Sequence, residues 1–257
     1  MYHLPAKRLR AVIGVIAFLF PVICLAQAPE TESQKLTPNS GHLFILSGQS
    51  NMTGNVKKGF TTTVHKALNE EDVTIIHHCK PGRGIRFWVK DYQLPKEHPM
   101  AGLSNNKSNG EEFPKLVNLV KKSCDATTFK AVHFIWMQGE SDANRDLSDA
   151  YERSFKLLTE RLKKELGIEQ MNIVIGRISD YGLHGDKAEG WKRMRSVQQK
   201  LAENDPLGCW INTDDLNGGD ESNPKGDLHY PKDESVKLGE RLAEAALLQW
   251  VGAPIAP

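Results

Sequence analysis

Four short stretches of this sequence hold residue types that could do chemistry. Ser47-Gly48-Gln49-Ser50-Asn51 ends an apolar run, Leu43-Phe44-Ile45-Leu46. Ser50 therefore sits on a turn at a strand end, where it can act as a nucleophile once a base takes its proton. It could equally cap the following helix, because Ser and Asn are favoured caps. Pro81-Gly82-Arg83-Gly84 offers glycines whose backbone N–H groups are free to aim at a ligand, as an oxyanion hole requires. Alone it could also be an ordinary turn. Gln138-Gly139-Glu140-Ser141-Asp142 places an amide donor at a strand end, then a turn, then two acids that could simply open a helix. Asp227-Leu228-His229 offers a base, His229, and an acid to orient it. Residues two apart in an extended segment share a side, and Pro231 disfavours a helical Tyr230. Glu140 is the alternative acid and could meet His229 only across the site. The chain has nine histidines, so one alone decides nothing; His77 and His78 border an apolar run and read as packing or surface residues.

The elements that must position these residues follow from the apolar pattern. Leu43–Leu46, Val73–Ile76, Ala131–Met137, Ile173–Ile178 and Cys209–Asn212 read as buried strands. Helical patterns lie between and after them, at Thr61–Glu70, Glu111–Lys122, Leu147–Leu166, Ala188–Ala202 and Glu234–Trp250. Alternating strands and helices predict an α/β fold, a parallel sheet with right-handed crossovers and helices on both faces. The long polar stretches 79–110, 139–146, 179–190 and 213–230 each follow a strand. They gather on the edge that carries Ser50, the edge where open parallel sheets bind ligands.

The rest of the chain narrows the class. It has 257 residues, 25% charged and 39% hydrophobic, with net charge +1. That suits one globular domain and gives no reason to expect a nucleic acid or a charged membrane surface as partner. No internal repeat occurs, and no metal-ligand spacing such as C-x-x-C or H-E-x-x-H appears. Lys7, Arg8 and Arg10 precede an apolar run from Ala11 to Ala26. This pattern predicts a signal peptide over 1–26, a flexible leader over 27–40 and a domain over 41–252, with the protein secreted or periplasmic. A cut after Ala26 is preferred to one after Ala28, which Pro29 follows. A membrane anchor formed by residues 11–26 ranks second, because the run is short and Pro21 interrupts it. A lipoprotein signal at Cys24 ranks lower, since Ile23 is bulky. Cys79, Cys124 and Cys209 remain in the mature chain. Even in an oxidising compartment they permit at most one internal pair, and three buried thiols are the favoured reading. Nothing here sets the oligomeric state.

In their order along the chain, Gly-Gln-Ser-Asn-Met at 48–52, Pro81-Gly82-Arg83-Gly84-Ile85-Arg86-Phe87-Trp88, Gln-Gly-Glu-Ser-Asp at 138–142 and Asp-Leu-His at 227–229 resemble the conserved blocks of the SGNH hydrolases. More narrowly they resemble the carbohydrate-esterase branch that includes acetylxylan esterases and sialate O-acetylesterases. The resemblance implies a three-layer α/β/α sandwich with a five-stranded parallel, flavodoxin-like sheet. It implies hydrolysis of an acetylated carbohydrate, a polysaccharide or a sialic acid, through an acyl-enzyme without metal or cofactor. Ser50 would be the nucleophile and His229 the base. The N–H groups of Ser50 and Gly82 and the side chain of Gln138 would hold the oxyanion. Arg86, Trp88 and Tyr92 could line a sugar site, although Trp88 could equally be core. Two positions depart from the pattern. The family's usual acid, three residues before the histidine, is Gly226 here, and the frequent His before Gln-Gly-Glu is Met137. An α/β-hydrolase is the nearest rival, but its G-x-S-x-G elbow would need Gly where Met52 stands. A catalytically inactive carbohydrate-binding protein is the rival outside enzymes.

Overall fold

The computed structural model describes residues 41–220, 223, 226–253 and 255. The predicted signal peptide and leader, residues 1–26 and 27–40, lie outside the described residues.

The apolar runs form five strands: β1 (His42–Gly48), β2 (Val73–Cys79), β3 (Ala131–Met137), β4 (Asn172–Gly176) and β5 (Gly208–Ile211). Every residue of β1, β3 and β4 is buried, which is why these strands read as unbroken apolar runs rather than as alternation. All pairings are parallel, in the order β2-β1-β3-β4-β5. This is the flavodoxin-like order, in which the chain leaves β1 for one side of the sheet and later returns to the other. The crevice between β1 and β3 is the topological switch point where such sheets bind ligands.

Among the described residues six helices accompany the sheet: α1 (Gly54–Ala67), α2 (Phe113–Ser123), α3 (Glu140–Ala143), α4 (Ser148–Leu166), α5 (Ala188–Glu203) and α6 (Lys232–Trp250). On one side of the sheet α1 packs against α6; α2, α4 and α5 pack in series. Phe113, Leu116, Val117 and Val120 of α2 are buried, as are Tyr151, Phe155, Leu158 and Leu162 of α4, the spacing of one apolar helix face. α1 begins earlier than its apolar pattern predicts, and a single turn, α3, replaces the start of a predicted loop. None of the described helices is long and apolar enough to cross a membrane.

His42 Nδ1 and His133 Nε2 lie 3.1 Å apart, and His133 stacks on Phe44 with ring centroids 4.5 Å apart. Burial, reinforced by His42, pushes the His133 imidazole down to about 3. The thiols of Cys79, Cys124 and Cys209 are free and partly buried, and burial pushes Cys209 up to about 12.

Candidate active site

β1 ends in a turn that only glycine permits. Gly48 has φ 149°, and a Cβ there would come within 1.9 Å of the Met137 carbonyl. The turn is clamped between neighbouring strand ends, because Gln49 N donates to Met137 O (3.0 Å) and Lys80 N to Gly48 O (2.9 Å). Ser50 emerges at the switch point, partly exposed. From the far end of the chain, the loop before α6 brings His229 over it. His229 Nε2 lies 2.9 Å from Ser50 Oγ, hydrogen-bond reach for proton transfer. Both line a cleft of about 330 Å³, together with Gln49, Pro81, Gly82, Ser141 and Arg145. Among the described residues, the N–H groups of Ser50 and Gly82 donate to no protein acceptor. Two unengaged donors beside a serine are what a developing oxyanion needs.

Gln138 occupies a different place from the one its sequence position suggests. Its side chain is wholly buried, and its amide nitrogen faces Asp142 Oδ2 (2.6 Å), Gln49 Oε1 (3.1 Å) and Arg83 O (3.2 Å). The amide stands behind Gln49 rather than in the cleft wall. It ties the nucleophile turn, the 80–84 loop and α3 together. Asp142 is the hub of that tie, since it also accepts from Ile85 N (2.9 Å), and burial pushes its carboxyl up to about 6.

Glu140 lines the same cleft but is only 2% exposed. Its Oε1 accepts from Asn51 Nδ2 at 2.6 Å, and its Oε2 has no partner among the described residues. Burial pushes the carboxyl up to about 7. The same Asn51 nitrogen donates to the Leu228 carbonyl at 3.0 Å. One carboxamide thus joins the residue after Ser50 to the residue before His229, with Glu140 holding it from beneath. Asn51 is the residue whose role the sequence did not suggest; its only signal is its place after the nucleophile. His77, read from sequence as a packing or surface residue, bonds the Met52 carbonyl at 2.9 Å and steadies the same turn.

Asp227 is exposed and, among the described residues, makes no hydrogen bond or ion pair with His229. Its N–H donates to Asn217 O at 2.7 Å, and Asn217 Nδ2 donates to Asp180 Oδ1 at 2.7 Å. This anchor explains the departure at Gly226. That residue has φ 65°, and a Cβ would meet the Asn217 amide at 2.4 Å. An acid cannot stand there without moving the loop.

The expected sugar contacts of Arg86, Trp88 and Tyr92 are corrected by the structure. Trp88 and Tyr92 are fully buried and Arg86 is 8% exposed. Trp88 packs edge-on against Trp136 at 5.2 Å. Arg86 lies over Phe87 at 3.8 Å and donates to Asn109 Oδ1 at 3.0 Å. The 3₁₀ turn Ile85–Trp88 folds Arg86 and Trp88 under the loop, and Tyr92 beyond it is buried as well.

Residues 56–248 match the family model described as carbohydrate esterase, sialic acid-specific acetylesterase. The chain belongs to this family. It is accordingly a hydrolase of ester bonds, and the matched span contains Gly82, Gln138 and His229 while starting after Ser50. No curated protein matches the sequence. Solved structures share the fold of this esterase. One is a protein from Arabidopsis thaliana, with TM-score 0.58, 16% identity and coverage of 81% of this chain and 98% of that one. Another is a carbohydrate acetylesterase from Xanthomonas citri, with TM-score 0.54, 17% identity and coverage of 82% of this chain and 56% of that longer one. A third is the acetyl xylan esterase AlAXEase, with TM-score 0.50, 13% identity and coverage of 79% and 98%. The esterase has the SGNH hydrolase fold.

Proposed function

We propose that this esterase removes O-acetyl groups from a carbohydrate through an acyl-enzyme on Ser50. The observation that carries the reading is the 2.9 Å contact between Ser50 Oγ and His229 Nε2, beside two unengaged backbone donors. His229 takes the Ser50 proton as Oγ attacks the acetyl carbonyl carbon. The carbonyl oxygen becomes an oxyanion and is held by the N–H groups of Ser50 and Gly82, each donor worth about 3 kcal/mol in the transition state. The tetrahedral intermediate collapses, the C–O bond to the sugar breaks, and His229 returns the proton to the leaving hydroxyl. A water, activated by the same imidazole, then cleaves acetyl-Ser50 and releases acetate.

Asp227 is the proposed orienting acid. Its carboxylate is exposed, two residues from His229, and apo hydrogen bonds of this kind often close only around substrate. Glu140 is engaged with Asn51 and supports the histidine loop from below. The free donors around Ser50 favour a working enzyme over an inactive binding protein. Export is part of the proposal and rests on the basic and apolar pattern of residues 1–26; N-terminal sequencing of the mature protein tests it.

The catalytic reading is tested by acetate release from a panel of acetylated glycans, comparing wild type with Ser50→Ala. The substitution should lower kcat by about 10⁴ or more with an unchanged circular dichroism spectrum. A folded variant with a near-normal rate contradicts the proposal.

A further inference from the structure

Beyond α3, the ridge Asn144-Arg145-Asp146 separates two cavities. Asn144 and Arg145 line the cleft of Ser50 and His229 on one side. On the other they line a second cavity of about 410 Å³, whose wall also includes Asp146, Asp186, Lys187 and Arg193. Asn144 and Arg145 are exposed and line both cavities.

The ridge is built to hold its shape. Asp146 has φ 59°, the one positive φ outside glycine among the described residues, and such conformations persist where surrounding contacts impose them. Here the contacts are an ion pair from Arg193 and His98 Nε2 on the Asp146 carbonyl at 3.0 Å. The lining of the second cavity is charged and polar. Among the described residues, Arg145, Asp186 and Lys187 have no ion pair or side-chain hydrogen bond, so their donors and acceptors are available. Each cavity lies within the range of about 300–1,000 Å³ that holds a small molecule. A hydroxyl-rich ligand that fills one and crosses the ridge would meet a second set of polar groups.

We propose that the second cavity is a glycan subsite and that the substrate is an acetylated oligosaccharide or polysaccharide rather than a single sugar. The acetylated unit lies at Ser50, the chain crosses Asn144 and Arg145, and a neighbouring unit is held by Asp186 and Lys187. This rests on the esterase reading above.

The test compares kcat/KM on acetylated monosaccharides, acetylated oligosaccharides of the same sugars, and p-nitrophenyl acetate, for wild type and the double variant D186A/K187A. Wild type should favour the oligosaccharides by about tenfold or more. The variant, altered only at exposed positions, should lose about fivefold on them for each polar contact of about 1 kcal/mol removed. Its rates on the monosaccharides and on p-nitrophenyl acetate should stay at the wild-type level. Equal wild-type kcat/KM on monosaccharide and oligosaccharide overturns the subsite, as does a preference that survives the double substitution. That wild-type comparison stands even where the variant does not fold. Full activity of Ser50→Ala on p-nitrophenyl acetate would instead overturn the acyl-enzyme reading of Ser50, so the two failures are distinct.

Discussion

Glu140→Gln should change how stability depends on pH. Glu140 is buried, its Oε2 unpartnered among the described residues, and its carboxyl is pushed up to about 7 from an unfolded value near about 4.3. Between those values the unfolded chain releases this proton and the folded chain keeps it. The unfolded state therefore binds fewer protons at this site, and the contribution of Glu140 to stability falls as pH rises from about 4.5 to about 7, then levels. At about 1.4 kcal/mol for each unit of displacement, the loss accumulated between pH 5 and pH 8 is about 2–3 kcal/mol. Gln cannot ionise, so the variant lacks this loss. Gln still accepts from Asn51 through its carbonyl. Its buried NH₂ adds a cost of about 1–3 kcal/mol that does not depend on pH. The quantity to measure is therefore the difference between variant and wild type at pH 8 minus the same difference at pH 5, from urea unfolding at each pH. It should favour the variant by about 2–3 kcal/mol. A difference that does not vary with pH would falsify the burial argument. Because the Asn51 link survives, kcat on an acetyl ester should fall by less than about tenfold; a loss near 10⁴ would make Glu140 the orienting acid in place of Asp227.

Other expectations follow from neighbouring contacts. Gly226→Asp restores an acid at the family's usual position but forces φ 65° on a side chain whose Cβ meets Asn217. It should cost about 2 kcal/mol or more and lower activity, and a rise in kcat would refute the steric account. Gln138→Ala removes the buried donor shared by Asp142, Gln49 and Arg83. Urea unfolding should show a loss of about 2–4 kcal/mol along with a lower kcat, and unchanged stability would return Gln138 to the cleft wall. His133, depressed to about 3, stays neutral in the fold while the unfolded imidazole gains its proton near about 6.5. The contribution of His133 should be lost as pH falls from about 6.5 toward about 3, so the stability of His133→Phe relative to wild type should rise over that range.

Much of the fold was written in the apolar runs. β3 matches its predicted limits at both ends, because a strand buried on both faces is a plain stretch of apolar residues. The start of α1 carries Gly54 and Gly59, and glycine lowers helix propensity. Gly59 stands where a Cβ would come within 2.1 Å of the Val236 carbonyl, and Gly239 faces the Val56 carbonyl equally closely. These glycines let α1 and α6 approach, a tertiary reason that local propensity cannot show. At the site, Ser50 and His229 were legible as a serine on a strand-end turn and a histidine in the last loop of the active edge. The direction of Gln138 was not. Its amide is turned inward by Asp142, four residues on, and only the fold of α3 brings that acid back to it. Arg86, Trp88 and Tyr92 have the composition of a sugar platform, and composition does not distinguish that from residues buried in and after a 3₁₀ turn. Asn51 was in plain view, but its function depends on Glu140 and Leu228, which lie 89 and 177 residues away.

The central claim is that Ser50 carries the acyl group. Wild-type enzyme mixed with p-nitrophenyl acetate, quenched in acid within the first turnover and digested, should yield the peptide containing Ser50 heavier by one acetyl group. His229→Ala, which lacks the base, should yield almost none. An acetyl group on another residue, or none on any peptide while a full first turnover of p-nitrophenol is released, would contradict the account.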